Sequence, residues 1–190
     1  MKCFLDMDGI IADFVTSACK LHKLDNPYLK PEYQGVYGIE TIFGMTPAQF
    51  WEPIDYKFWR NLGKMPDADC IVQVAIDRFG KKNVCILSSP CRTRRGECID
   101  GKSDWIDEYY PELRSNILFG SAKRFCASKD AFLIDDLDYN VETFVENGGN
   151  AWLYPRPWNS DYKHQITYVS QNDAVYEINY RLDDLMYIVK

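Results

Sequence analysis

The stretch FLDMDGIIADF, residues 4–14, sets Asp6 and Asp8 two positions apart at the end of an apolar run, with a third acid at Asp13. Residues 2–6 read as a short buried strand. After it, Ile10, Ile11, Phe14, Val15, Ala18 and Leu21 recur at helical spacing, which predicts an amphipathic helix over 10–24. A buried strand with carboxylates crowded at its mouth raises the question of what those acids serve, and the rest of the chain bears on it.

Further short apolar runs follow at 84–87 (VCIL), 117–119 (ILF), 131–134 (AFLI) and 151–154 (AWLY). Between them lie helical patterns. One covers 68–79, with Asp67 or Asp69 as its cap and Gly80 as its stop; others cover 99–110, 138–147 and 173–186. Short buried strands alternating with helices predict βαβ units, an α/β fold with a mainly parallel, Rossmann-like sheet flanked by helices. Such sheets bind ligands beyond the carboxyl ends of their strands. The polar residues standing there are Asp6 and Asp8, Ser88 and Ser89, and Asp135 and Asp136.

The first connection is too long for one crossover helix: about 75 residues separate Gly9 from Asn83. Residues 25–66 hold five prolines and no strong strand signal, and nine aromatics lie between Tyr28 and Trp59. An inserted helical cap at 18–66, within a core of 1–17 and 67–190, accounts for both the length and the change of composition. Those aromatics are either the small core of the cap or flat surfaces for a ring-bearing ligand. Phe14, Phe50, Trp51 and Trp59 are the candidates for facing a ligand, and Trp158, in YPRPWN, is a further one unless it only packs under the tail.

The chain of 190 residues suits one sizeable domain or a core with a small insert. A net charge of −6 disfavours a nucleic-acid partner, which needs a basic face. Seven cysteines at irregular spacing, without C-x-x-C and with two histidines, argue against zinc and for free thiols in a reducing cytoplasm. No apolar run approaches membrane-span length, and MKCFLDMDG lacks the apolar region of a signal peptide. A monomer and a homodimer both remain open.

Four carboxylates at 6, 8, 135 and 136 would repel one another without a cation among them, and an all-oxygen set favours Mg²⁺. A carboxylate beside such an ion can attack phosphorus, and a second can protonate the leaving oxygen and then activate water. Ser88 offers a hydroxyl for phosphate oxygens, and a lysine would complete the neutralisation.

FLDMDGIIADF, ILSSP and LIDD resemble, in order and strand context, motifs I, II and IV of the haloacid-dehalogenase-like (HAD) phosphohydrolases. The likeness covers about residues 1–15 and 66–158. With the GG-x-x-x-L-Y/F-like stretch after LIDD, the chain is most similar to the 5′(3′)-deoxyribonucleotidase branch. The resemblance implies Asp6 as nucleophile and metal ligand. It implies Asp8 as acid/base, giving its backbone carbonyl to the metal. Asp136 becomes a direct Mg²⁺ ligand and Asp135 an assisting one. Ser88 and Ser89 fall to the phosphoryl group, Arg92 to a substrate contact, and Phe14 to the base. Lys123 matches the motif III lysine, with Lys102, read as lying at a helix start, and Lys129 as competitors. The acid at Asp8 favours phosphoester hydrolysis over dehalogenation, and the cap shows no lysine matching a phosphonatase Schiff base. The implied substrate is a nucleoside monophosphate. The alternatives are a sugar phosphate or nucleic-acid 3′-phosphate, and a nucleotide-binding protein without turnover.

Overall fold

Lys2–Leu5 (β1) alternates its side chains between two layers, and that alternation organises the fold. Cys3 and Leu5 face one side of the sheet, and Phe4 faces the other. The computed structural model describes residues 1–167 and 169–188.

Ala12–Asp13 (β2) and the helix Phe14–His22 (α1) follow β1. Then come the short helices Ile39–Ile42 (α2), Pro47–Trp51 (α3) and Tyr56–Arg60 (α4), and the strand Gly63–Lys64 (β3). The core resumes with Ala68–Phe79 (α5), Val84–Ser88 (β4), Arg95–Tyr109 (α6), Ile117–Phe119 (β5) and Ala131–Asp135 (β6). It ends with Asp138–Glu146 (α7), Asn150–Leu153 (β7) and Gln171–Ile188 (α8). Five strands form one sheet in the order β5-β4-β1-β6-β7, and every pairing is parallel. This is the α/β architecture expected from the alternating pattern.

Residue parity carries through the sheet. Val84, Ile86, Phe132, Ile134 and Trp152 join Cys3 and Leu5 in the larger core. Leu87, Ala131, Leu133 and Phe144 join Phe4 on the other face. On α8 the buried residues Ala174, Ile178 and Leu182 recur every fourth position, and that stripe packs on α5. Among the described residues no helix is long and apolar enough to cross a membrane, and all seven cysteines are free.

Two expectations about local structure change. The helix predicted over 10–24 begins only at Phe14, because Gly9 takes φ +79° and turns the chain. Ile11 and Ala12 both donate to the Met7 carbonyl at 2.9 Å, and β2 then pairs antiparallel with β3. Ile10 and Ile11 are therefore buried in a turn. The third acid of the opening stretch is a cap: Asp13 accepts from Thr16 N at 3.0 Å at the head of α1. Asp67 precedes α5 as expected but makes no capping bond, because its carboxylate is held by Arg156 and Tyr154.

In the segment between α1 and α5, prolines and caps make short helices. Thr46 and Gln49 close a capping box around Pro47 at the start of α3, and Asp55 caps α4. The α4 helix seats on α6 at Gly101, where an added Cβ would lie 2.7 Å from Trp59 Cβ. This contact brings Trp59 over the sheet's carboxyl edge.

Candidate active site

Strand β1 is central, with β4 on one side and β6 on the other. The chain winds outward from β1 in both directions, so a crevice opens where the connections diverge. Around it stand Asp6 and Asp8, Ser88 and Ser89, and Asp135 and Asp136, from three adjacent strands. The sequence-predicted acids and serines thus share one end of the sheet.

Asp6, Asp135 and Asp136 are buried, and each offers a carboxylate oxygen within 4.8 Å of the others. Burial pushes the Asp6 carboxyl up to about 7; Lys123 opposes the shift, and Asp135 and Asp8 add to it. Burial, then Asp6 and Asp135, hold Asp136 well above the usual carboxylate range. Lys123, buried, donates to Asp6 Oδ1 and Asp135 Oδ2, both at 2.7 Å. When all three are ionised, one ammonium against three carboxylates leaves negative charge uncompensated. With only oxygen donors present, the set fits a hard divalent cation such as Mg²⁺.

Asp135 is fixed through both oxygens. Leu137 N and Asn140 Nδ2 reach it at 3.0 and 3.1 Å, in addition to Lys123. Asp136 accepts from Trp158 Nε1 at 2.5 Å. Asp8 stands outside this triad. Its Oδ2 lies 2.5 Å from Lys102 Nζ, and its Oδ1 is buried without a hydrogen bond among the described residues.

Lys102 donates also to Ser88 Oγ at 2.8 Å and to the Ser89 carbonyl at 3.0 Å, with Nζ 4.6 Å from the centre of the Trp59 ring. It sits in the body of α6, seven residues after the helix begins at Arg95, and not at a helix start as expected. Lys102 and Lys123 are therefore both at the site, the first paired with Asp8 and the second with Asp6 and Asp135. Lys129 is exposed and lines no part of it.

Two adjoining clefts open from these groups. The first is lined by Asp6, Asp8, Phe14, Tyr28, Tyr37, Trp51, Ser89, Asp136, Asn140 and Trp158. The second, about 520 Å³, shares Asp8, Phe14, Tyr37, Trp51 and Ser89 and adds Trp59, Arg92 and Ser121. That size falls in the range of roughly 300–1,000 Å³ usual for small-molecule sites. Phe14 stacks between Trp51 at 5.8 Å and Trp59 at 5.7 Å, so three of the four predicted rings form one wall. Phe50 does not join them: it is fully buried behind Phe14 and beside His22, and lines neither cleft. Arg92 is exposed at the rim of the second cleft.

Sequence reasoning missed Tyr28, Tyr37, Asn140 and Arg156. Arg156 is buried and donates to the carbonyls of Gly9 and Ile10 and to both oxygens of Asp67. It thereby pins the turn that follows Asp6 and Asp8. Asn140 had a readable signal, since it sits one helical turn after the acids of LIDD.

A scan of protein-family models finds no match, and neither does a search of curated proteins. Solved structures give distant likenesses. A haloacid dehalogenase-like family hydrolase from Streptococcus pneumoniae has a TM-score of 0.49 and 13% identity, over 93% of this chain and 97% of that one. A HAD family enzyme from Bacteroides thetaiotaomicron, solved as a magnesium complex, has a TM-score of 0.44 and 14% identity, over 86% of this chain and 96% of that one.

Proposed function

We propose that the chain is a Mg²⁺-dependent phosphatase of HAD type that hydrolyses nucleoside monophosphates through an aspartyl-phosphate on Asp6. The observation that carries this reading is one juxtaposition. Asp6 and Asp8 meet Ser88, two buried lysines and two further acids, Asp135 and Asp136, where the sheet opens onto an aromatic-walled cleft.

Asp6 attacks phosphorus; an Asp6–phosphorus bond forms as the bond to the ester oxygen breaks. Asp8 delivers a proton to that departing oxygen, and the nucleoside leaves. Water then attacks the aspartyl-phosphate, Asp8 takes its proton, and inorganic phosphate is released with Asp6 regenerated. Ser88 Oγ and Lys102 hold phosphoryl oxygens. An arriving phosphate gives the Lys102 ammonium a second anion, which frees Asp8 from its ion pair to carry the proton. Asp6, Asp135 and Asp136 would hold Mg²⁺, which when bound offsets the charge of the carboxylates and the phosphoryl group. Trp51, which lines both clefts, supplies a flat face for a base, with Phe14 and Trp59 packed behind it.

The test is phosphate release from a panel of 5′- and 3′-monophosphates of deoxyribo- and ribonucleosides and several sugar phosphates, each with Mg²⁺ and with EDTA. Metal-dependent release from nucleotides is expected. Release mainly from sugar phosphates would overturn the substrate assignment and keep the chemistry, while no release from any ester would overturn the reading.

A further inference from the structure

Residues 154–159, Tyr-Pro-Arg-Pro-Trp-Asn, leave β7 as a loop, yet Tyr154, Arg156, Trp158 and Asn159 are all buried. Loops ordinarily run over the surface, because buried irregular backbone leaves polar groups unpaired. Here the buried polar side chains find partners, several of them around the acids. Arg156 holds the Gly9–Ile10 turn, and Asn159 Nδ2 donates to the Asp136 carbonyl at 2.9 Å. Trp158 reaches the Asp136 side chain itself.

An indole N–H can only donate. It occupies Asp136 Oδ2, while no hydrogen bond to the other oxygen occurs among the described residues. Asp135, by contrast, has both oxygens fixed by three other groups. The indole ring has little room to move. Tyr28, from the segment between α1 and α5, packs on it with centroids 5.5 Å apart. On another side is Gly9, where an added Cβ would lie 3.0 Å from Trp158 Cζ2 and 2.2 Å from Asp136 Oδ2.

We propose that Trp158 is the positioning residue of the cation site: its N–H holds one oxygen of Asp136 so that the other is presented to Mg²⁺, with Tyr28 bracing the ring. This rests on reading Asp6, Asp135 and Asp136 as a Mg²⁺ site. Groups that orient metal ligands in this way typically change metal affinity about 10- to 100-fold when removed.

Trp158→Phe keeps a ring and removes the donor. Calorimetric titration is expected to show the Mg²⁺ dissociation constant raised about 10- to 100-fold, with turnover recovered at correspondingly higher Mg²⁺. A Kd within about twofold of the parent, with only the melting temperature lowered, would make Trp158 a packing residue and overturn the proposal. A second measurement needs no variant. In the ¹⁵N-labelled parent one of the five indole N–H signals is expected to move on Mg²⁺ addition, saturating with the calorimetric Kd; no displaced indole signal overturns the proposal. A parent that binds no Mg²⁺ would instead remove the metal site and the phosphatase reading together, an outcome distinct from equal affinity in parent and variant.

Discussion

Lys102 and Asp8 form an ion pair across 94 residues of sequence, with Nζ 2.5 Å from Oδ2. The lysine is fully buried, and its two other hydrogen-bond acceptors are Ser88 Oγ and the Ser89 carbonyl. The group that is to move the proton is thus tied to the group that is to hold the phosphate. Lys102→Met is expected to lower kcat by about 10²- to 10⁴-fold, the usual range for a positioned acid/base. Mg²⁺ affinity should stay close to the parent's, since Lys102 contacts no member of the acid triad. Lys102→Arg should not restore activity, because a planar guanidinium does not fit a site shaped for an ammonium. Steady-state kinetics beside a Mg²⁺ titration checks this; a variant with parental kcat would disconnect Lys102 from catalysis.

Asp6 gives the pH dependence. Its folded-state pKa, up to about 7 through burial and neighbouring acids, exceeds the unfolded value near ~3.9. Such a group favours folding while protonated, and that contribution is lost as pH rises through about 7. The metal-free protein should therefore lose stability at this site between roughly pH 4 and pH 7. Mg²⁺ competes with the proton, so its stabilisation should grow over the same window. Melting curves in EDTA and in millimolar Mg²⁺, near pH 5.5 and near pH 8, are the check. An equal Mg²⁺-induced gain at both would contradict it. Asp6→Asn should make the EDTA series shallower, Asp136 still titrating above the usual range, and abolish turnover with the fold intact.

Gly9 is required twice. Its φ of +79° is costly for any side chain, and an alanine Cβ would stand 2.2 Å from Asp136 Oδ2. Gly9→Ala is expected to cost at least about 1–3 kcal/mol in stability and to weaken Mg²⁺ binding by displacing Asp136. Urea unfolding with and without Mg²⁺ separates the two effects. A variant of parental stability would show that the turn relaxes freely.

The core strands and the acids and serines that follow them were legible in the sequence, because short apolar runs ending in polar pairs have few other readings. The turn at Gly9 was not, since Ile10 and Ile11 continue the apolar period of α1 and mimic its first turn. Strands β2 and β3 are two residues each and exist through one distant pairing. Lys102 did leave a trace: it shares the buried face of α6 with Cys98, Gly101, Trp105 and Ile106, and a lysine on an apolar stripe needs a partner. Phe50 and Trp51 are sequence neighbours, yet one is buried and the other lines the cleft, a difference set by how α3 sits on Phe14. The partners of Arg156 lie up to 147 residues away, and no local pattern announces them.

Arg156 and Asp67 form a buried bidentate pair, 3.0 and 2.8 Å at the two nitrogens, that anchors the Gly9–Ile10 carbonyls. Removing one partner leaves an uncompensated buried charge. Arg156→Met is expected to destabilise by about 3–5 kcal/mol, and adding Asp67→Asn should recover part of that loss. Chemical denaturation of both single variants and the double variant forms the cycle. Strictly additive losses would mean the two side chains stabilise the fold independently.

The aromatic wall gives the last prediction, through the contrast between adjacent residues. Trp51 lines both clefts and stacks against Phe14, whereas Phe50 lines neither. If the wall takes a base, Trp51→Ala should raise KM for a nucleotide by about 1–3 kcal/mol of binding, roughly 5- to 150-fold. Release from a sugar phosphate would then be nearly unchanged, because that substrate offers nothing to stack. Phe50→Ala should show the opposite pattern, with about 3–5 kcal/mol of stability lost and KM close to parental once folded. Parallel kinetics on the two substrates and melting curves on both variants decide it. A Trp51 variant with the same KM rise for both substrates would mean the ring shapes the cleft without contacting a base.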